Sequence, residues 1–136
     1  MTDLTPPPQV WHTLRARDAH ALIRFLVDVV GFEETAVYGD GEIVHHAQLT
    51  WPLGGGIMLG SVGDAPDDPW PIQPGTAGAY VVSDDIDGTF ARAKAAGAQI
   101  LYKPHHTDYG SYEFALRDPE GNRWSFGTYR GEPRKA

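Results

Sequence analysis

The stretch Arg117-Asp118-Pro119-Glu120-Gly121-Asn122-Arg123-Trp124-Ser125-Phe126 predicts a tight turn between two β-strands. Pro119 presets φ at the second turn position and Gly121 suits the fourth. Large apolar side chains alternate with small or polar ones on both sides of the turn, which is the period of a strand. These apolar residues are Tyr112, Phe114 and Leu116 before the turn, and Trp124 and Phe126 after it. We therefore expect Trp124 and Phe126 to lie in the core.

An internal repeat indicates that the chain consists of two similar halves. Three pairs of residues lie 66 positions apart: Asp18 and Asp84, Gly31 and Gly97, Gly55 and Gly121. In the first pair each Asp precedes a helical pattern as a predicted N-cap, and in the second each Gly follows it at the left-handed C-terminal position. The repeat predicts two helices of equal length, one in each half.

Each half is predicted as one strand, one helix and three further strands. The predicted helices are 19–30 and 85–96, and the predicted strands are 9–17, 32–38, 42–51, 57–61, 78–83, 98–103 and the hairpin around 111–126. Since neither half covers both faces of its sheet, the two halves must pack together. The predicted domain organisation is a disordered arm at 1–8, one domain at 9–129 and a frayed tail at 130–136. Within that domain, module one is 9–62, a linker is 63–77 and module two is 78–129.

Composition narrows the functional classes. The 136 residues, 41% of them hydrophobic, suffice for one domain with a core of its own. A formal charge of −7 argues against a nucleic-acid surface, and the lack of cysteine excludes disulfide and thiolate chemistry. We find no apolar run that could span a membrane and no signal peptide, so a cytoplasmic protein is the expectation.

Five short motifs resemble the vicinal oxygen chelate superfamily, which includes glyoxalases, extradiol dioxygenases and bleomycin-resistance proteins. They are Leu14-Arg15-Ala16-Arg17-Asp18, Val30-Gly31-Phe32, Val82-Ser83-Asp84-Asp85, Ala95-Ala96-Gly97-Ala98 and Asp118-Pro119-Glu120-Gly121-Asn122. The resemblance implies an α+β fold. In this fold two tandem βαβββ modules curl a mixed sheet into a cup, and the helices lie outside it.

Enzymes of that superfamily hold a divalent metal on four strand positions of the cup. The resemblance places these positions at Trp11, Leu59, Gly78 and Ser125. None of the four is a usual ligand of such a metal, so we expect no cofactor. The alternative is a divalent metal held through His12, which a one-residue slip of the first strand would turn into the cup.

Without a metal, the cup is predicted to be a ligand pocket walled by rings and hydroxyls. The predicted ligand-binding residues are Trp11, Thr13, Arg15, Trp51, Leu59, Tyr80, Tyr109, Tyr112 and Ser125. We assign no catalytic residue, and we interpret Glu113 and Arg117 as a solvated ion pair on one strand face. Trp70 in the linker is interpreted as packing on the domain's own core, with a lid over the pocket as the alternative.

The main hypothesis is a metal-free small-molecule binding protein that resembles bleomycin-resistance proteins and sequesters an antibiotic or another aromatic compound. Such proteins form homodimers, and no nucleic acid or membrane partner is expected. Two alternatives stay open. One is a metal-dependent lyase, isomerase or dioxygenase of the same superfamily, and the other is a regulatory or partner-binding module whose cup is filled by its own side chains.

Overall fold

The computed structural model describes residues 9–63, 67–133 and 135, so the arm predicted at 1–8 lies outside the described residues. Two helices and eight strands follow one another in two similar series. They are β1 (His12–Ala16), α1 (Ala19–Phe25) continued by a π turn (Leu26–Val30), β2 (Glu33–Asp40), β3 (Ile43–Thr50), β4 (Gly56–Ser61), β5 (Gly78–Val82), α2 (Ile86–Ala95), β6 (Gln99–His106), β7 (Tyr112–Arg117) and β8 (Arg123–Gly127).

The strands form two four-stranded mixed sheets, with the orders β1-β4-β3-β2 and β5-β8-β7-β6. In each sheet the first and last strands of the module pair in parallel, and the other pairs are antiparallel. This confirms the predicted α+β fold with two tandem βαβββ modules. The strand predicted at 98–103 is longer than expected, because β6 continues to His106.

The caps explain where the helices begin and end. Asp18 accepts a hydrogen bond from the backbone N–H of Ala21 at 3.1 Å and starts α1, as predicted. Gly31 ends the π turn with φ 109°, in the left-handed region that favours glycine. The N-cap of α2 is Asp85, which accepts from the N–H of Gly88 at 3.1 Å. The prediction that Asp84 caps this helix is wrong, because its carboxylate pairs with Arg130 instead.

The true offset between the modules is 67 residues rather than 66. The parallel ladder of module one pairs His12 with Ile57, and that of module two pairs Ala79 with Trp124. His12 and Ala79 are 67 residues apart, and so are Ile57 and Trp124. The caps Asp18 and Asp85 obey the same offset. The π turn explains the spacing of 66 between Gly31 and Gly97, because it adds one residue to the first helix.

An error of one residue reverses the face on which a strand side chain lies. Leu59 is only 3% exposed and belongs to the hydrophobic core, so the prediction that it faces the cup is wrong. Met58, which precedes Leu59 in β4, lies on the opposite face and is equivalent to Ser125 at the offset of 67. Trp124 and Phe126 lie in the core, as predicted.

Hydrogen bonds between the modules fix their packing within one chain. Trp51 donates from Nε1 to the carbonyl of Val82 at 2.8 Å, which ties a turn of module one to strand β5. Arg92 of α2 donates to a carbonyl of the π turn at 2.9 Å. The Glu120 carboxylate accepts from two backbone N–H groups that precede α1, at 2.7 and 2.9 Å. None of the helices in the described part of the chain is long and apolar enough to cross a membrane.

Candidate functional site

A cavity of about 610 Å³ lies between the modules, and we call it the inter-module cavity. Its walls include the rings of Phe32, Trp51 and Trp124, together with His12, Tyr80 and the glycine run 54–56. The centroid of Phe32 lies 5.0 Å from that of Trp51 and 5.8 Å from that of Trp124. Module one supplies Phe32 and Trp51, and module two supplies Trp124, so the cavity depends on the contact between the modules.

The turn between β3 and β4 shapes one side of this cavity. Trp51 closes the turn, because its backbone N–H donates to the carbonyl of Gly55 at 3.0 Å. Gly54 and Gly55 have φ values of 124° and 80°, which explains the glycine run without any phosphate-binding role. A Cβ on Gly56 would lie about 2.5 Å from the ring of Trp11, so only glycine lets that ring pack against the turn.

His12 places an imidazole on the wall of the inter-module cavity. Its ring meets Trp124 edge-on, with the centroids 6.5 Å apart. Its Nε2 is buried and has no hydrogen-bond partner in the structure. Burial lowers the pKa of His12 below its ordinary value. A neutral imidazole with an unused ring nitrogen can accept a hydrogen bond from a ligand, or donate one, depending on its tautomer.

A second cavity of about 450 Å³ lies on module two, and we call it the tyrosine cavity. It is lined by Tyr80, Tyr109, Glu113, Tyr129 and Arg130, with Val82 and Gly131. Tyr80, Val82 and Arg130 also line the inter-module cavity, so the two cavities meet at Tyr80. The hydroxyl of Tyr80 donates to the carbonyl of Tyr129 at 2.8 Å. Partial burial raises the pKa of the Tyr80 phenol, which keeps it neutral.

Glu113 is buried at this cavity, with 5% of its surface exposed. Its Oε1 accepts a hydrogen bond from the Tyr109 hydroxyl at 2.7 Å, and this bond raises the pKa of Tyr109. The interpretation of Glu113 and Arg117 as a solvated ion pair is therefore wrong. Arg117 instead donates to the carbonyl of Gly121 at 3.0 Å.

Three of the predicted ligand-binding residues line these cavities. Trp51 lines the inter-module cavity, Tyr109 lines the tyrosine cavity, and Tyr80 lines both. Tyr112 lies elsewhere, because its hydroxyl donates to Asp87 of α2 at 2.6 Å. The remaining ones lie outside the lining of both cavities: Trp11, Thr13, Arg15 and Ser125 on or beside the parallel strands, and Leu59 in the core.

The linker closes over the side of module one on which Arg15 lies. Arg15 forms an ion pair with Asp68 at 2.5 Å and donates to the carbonyl of Ser61 at 3.1 Å. Trp70, 46% exposed, sits over the guanidinium at 5.8 Å. Trp70 therefore covers a charged side chain of its own chain, and it neither packs on the core nor borders the two cavities. Arg15 is occupied by these contacts.

The donors at the positions implied for a metal do not fit a divalent ion. With Met58 replacing Leu59, the four positions carry the indole of Trp11, the thioether of Met58 and the hydroxyl of Ser125, and Gly78 has no side chain. Such ions in proteins are held by imidazole, carboxylate or thiolate groups. Across residues 9–63, 67–133 and 135, no three His, Asp or Glu side chains are grouped as a metal site.

Several cavity residues were not predicted from the sequence: Phe32, Glu113, Tyr129 and Arg130. Glu113 did carry a signal, because it alternates with Phe114 on β7, a strand paired on both sides. A strand inside a sheet buries more of both faces than an edge strand does. Tyr129 and Arg130 lie beyond the last strand, where Tyr129 was predicted as the last residue of the domain and Arg130 as the first residue of the frayed tail, so strand periodicity gave no indication of them.

The comparisons agree with this architecture. The model of the Glyoxalase/Bleomycin resistance protein/Dioxygenase superfamily matches residues 9–126. The structure of TioX from Micromonospora sp. ML1 is similar at 26% identity and a TM-score of 0.72, covering 87% of this chain and 97% of TioX. A lactoylglutathione lyase from Agrobacterium tumefaciens is similar at 25% identity and a TM-score of 0.65, covering 90% and 94% of the two chains.

The structure of TnmS3, an antibiotic binding protein from Streptomyces sp. CB03234, shares the fold at 22% identity and a TM-score of 0.66, covering 92% of this chain and 97% of TnmS3. A search of curated proteins finds no significant match. The family match extends over most of the chain and agrees with the two βαβββ modules seen in the structure. The chain therefore belongs to the glyoxalase/bleomycin resistance protein/dioxygenase superfamily.

Proposed function

We propose that the protein binds a small aromatic molecule in the inter-module cavity without a metal. The observation that carries the proposal is the cavity itself, about 610 Å³ in volume and walled by Phe32, Trp51 and Trp124. Aromatic walls remove a planar apolar ligand from water and offer their edges and faces to its rings. The open cavity also disfavours the alternative of a regulatory module whose cup is filled.

Two polar groups at the cavity would orient such a ligand. His12, whose Nε2 has no hydrogen-bond partner, lines one wall, and Tyr80 lines both cavities. A few polar groups in an otherwise apolar pocket supply orientation and selectivity, whereas the rings supply the affinity. Sequestration of an antibiotic that carries planar rings is the form of this function that we propose.

A fluorescence titration with N-phenyl-1-naphthylamine, a neutral aromatic probe, tests the proposal. We expect saturable binding of one probe per inter-module cavity in the unmodified protein. Trp51→Ala should raise the Kd at least tenfold, because it removes one aromatic wall. Trp70→Ala removes the same side chain from the linker and should leave the Kd within twofold, since Trp70 lies outside the cavity lining.

Circular dichroism and thermal unfolding of both variants separate lost binding from lost folding. Absence of saturable binding in the unmodified protein contradicts the proposal. So does an equal Kd for Trp51→Ala and the unmodified protein, because the probe would then bind elsewhere.

The similarity to a lactoylglutathione lyase favours a second candidate, a metal-dependent lyase, isomerase or dioxygenase. Elemental analysis of protein purified without a histidine tag distinguishes the two. Stoichiometric Ni, Zn, Mn or Fe would support the enzyme, and metal well below one equivalent would support the binding protein. The donor set around the implied metal positions supports the second outcome.

We further infer a homodimer in the cytoplasm. Strands β1 and β5 each pair with one neighbouring strand in the described ranges, so each has one edge free of strand pairing. Unpaired strand edges are natural places for association with a second copy. Light scattering coupled to size exclusion should give twice the mass of one chain, and a single-chain mass at micromolar concentration would rule the dimer out.

A further inference from the structure

The tyrosine cavity presents an incompletely bonded carboxylate. Only 5% of the Glu113 surface is exposed, and its Oε1 accepts a hydrogen bond from the Tyr109 hydroxyl at 2.7 Å. Its Oε2 is buried and accepts no hydrogen bond in the structure. A buried carboxylate oxygen without a donor costs free energy, and a bound donor, above all a charged one, would offset this cost.

The rings around Glu113 suit a cation. Tyr80, Tyr109 and Tyr129 line the same cavity, and the rings of Tyr109 and Tyr129 meet at 5.9 Å and 77°. The faces of aromatic rings attract cations, and several rings around one point form the cage that recognises organic ammonium groups. Tyr80 and Tyr109 are 44% and 59% exposed, so their rings are accessible from solvent.

The charges near the cavity also favour a cation. The one arginine in the cavity lining, Arg130, donates to both carboxylate oxygens of Asp84 at 2.9 and 3.1 Å, so its charge is already paired. Glu132 accepts from the hydroxyl of Tyr129 at 3.0 Å, so a second carboxylate contacts a residue that lines the cavity. With Asp84 and Arg130 offsetting each other, the carboxylates of Glu113 and Glu132 leave the local balance negative.

Gly127 leaves a small space beside the Glu113 carboxylate that any side chain would fill. A Cβ on Gly127 would lie 2.3 Å from the Tyr80 hydroxyl and 2.8 Å from the Oε2 of Glu113. The Tyr80 hydroxyl and the unpartnered oxygen therefore flank the same small space. A change in the rotamer of Tyr80, which is part exposed, would open a path from the cavity to Oε2.

We propose that the tyrosine cavity is a site for an organic ammonium group, held by the Glu113 carboxylate and the rings of Tyr80, Tyr109 and Tyr129. The ligand class is a protonated amine on a compact apolar body. The proposal rests on this cavity alone and does not require an aromatic ligand in the inter-module cavity.

Cyclohexylamine and cyclohexanol form a suitable pair of probes, because they differ in charge at neutral pH and neither is aromatic. We expect cyclohexylamine to bind at pH 7 with a Kd at least tenfold lower than that of cyclohexanol. NMR should show amide shifts at Tyr80, Tyr109 and Glu113, and a shift of the Glu113 carboxyl carbon with the amine only. Equal Kd values, or an unmoved carboxyl resonance, would overturn the proposal.

Glu113→Gln removes the charge and keeps an oxygen that can accept from Tyr109. We expect this variant to lose the tenfold preference for the amine while its binding of N-phenyl-1-naphthylamine stays within twofold. Asp108→Asn, on the exposed loop before Tyr109, is the matched control and should keep the preference. A preference that survives in folded Glu113→Gln would assign amine binding to the general negative charge of the protein and contradict the site.

Discussion

The two modules share a backbone plan, yet they use equivalent positions for different purposes. At the offset of 67 residues the parallel ladders, the helix N-caps and the turns correspond, including Pro52 with Pro119 and Gly54 with Gly121. The side chains at three of the equivalent positions differ completely: Trp51 and Asp118, Arg15 and Val82, His12 and Ala79. The repeat thus fixes the frame, and the cavities arise where the side chains depart from it.

The largest contrast lies in the turn before the last strand of each module. In module two Asp118 holds the turn together, because its carboxylate accepts from the N–H groups of Glu120 and Asn122, from the Asn122 amide and from the Trp124 indole at 2.8–3.0 Å. In module one the ring of Trp51 lines the cavity, and its indole N–H donates to the carbonyl of Val82. Both turns close through equivalent backbone bonds and both contact the other module, but only the turn of module two is also held from within by a buried carboxylate.

The first prediction tests this contrast at Asp118. Asp118→Ala leaves buried donors without an acceptor and should lower the free energy of unfolding by about 3 kcal/mol. Urea denaturation followed by circular dichroism measures the loss. Asp108→Ala, at an exposed loop position, is the control and should change stability by less than about 0.5 kcal/mol. A similar small loss in both variants would show that the turn does not depend on its carboxylate.

The second prediction concerns Arg15, whose equivalent Val82 carries no charge. Arg15→Ala removes the ion pair with Asp68 and the bond to Ser61, and should cost about 1 kcal/mol, because the pair is partly buried. Hydrogen exchange at residues 67–70 should accelerate while the core strands stay protected. Arg24→Ala breaks an exposed pair with Asp28 and serves as the control. Unchanged exchange at 67–70 would mean that Arg15 does not hold the linker.

The third prediction is the smallest and concerns the pH dependence of stability. Burial lowers the pKa of His12 in the folded protein, so the neutral ring is favoured there relative to an unfolded value of about 6.5. Its contribution to stability is present above the unfolded pKa and is lost as the pH falls through the folded pKa.

A comparison of unfolding between pH 7.5 and pH 5 in the unmodified protein and in His12→Gln measures this effect. Carboxylates titrate in both proteins, so the difference between the two slopes reports His12. The unmodified protein should lose more stability toward pH 5. Parallel slopes would show that His12 is solvated in the folded protein.

The sequence allowed the order of the elements and the faces of β7 and β8 to be predicted, because alternation and glycine placement are local signals. The positive φ of Gly31, Gly97 and Gly121 follows from the same signals. The face of Leu59 was predicted incorrectly, because the offset of 66 was taken from aspartate and glycine pairs that are not the equivalent positions, and a single residue changes the face.

The candidate site was less predictable, because both cavities depend on contacts between distant segments. Trp51 and Tyr80 were predicted to bind a ligand, and they line the inter-module cavity, but Phe32 and Trp124 in the same lining come from different modules. The burial of Glu113 depends on Tyr109 and on the segment after β8, and no local pattern links these residues. Side chains that meet across modules cannot be assigned to one pocket from strand periodicity.

A crystal structure of the protein with N-phenyl-1-naphthylamine tests the central claim most directly. We predict that the probe's rings lie in the inter-module cavity and contact the ring of Trp51, with no transition metal in contact with them. A probe bound outside this cavity, or an anomalous-scattering peak for a transition metal held by His12, would contradict the account.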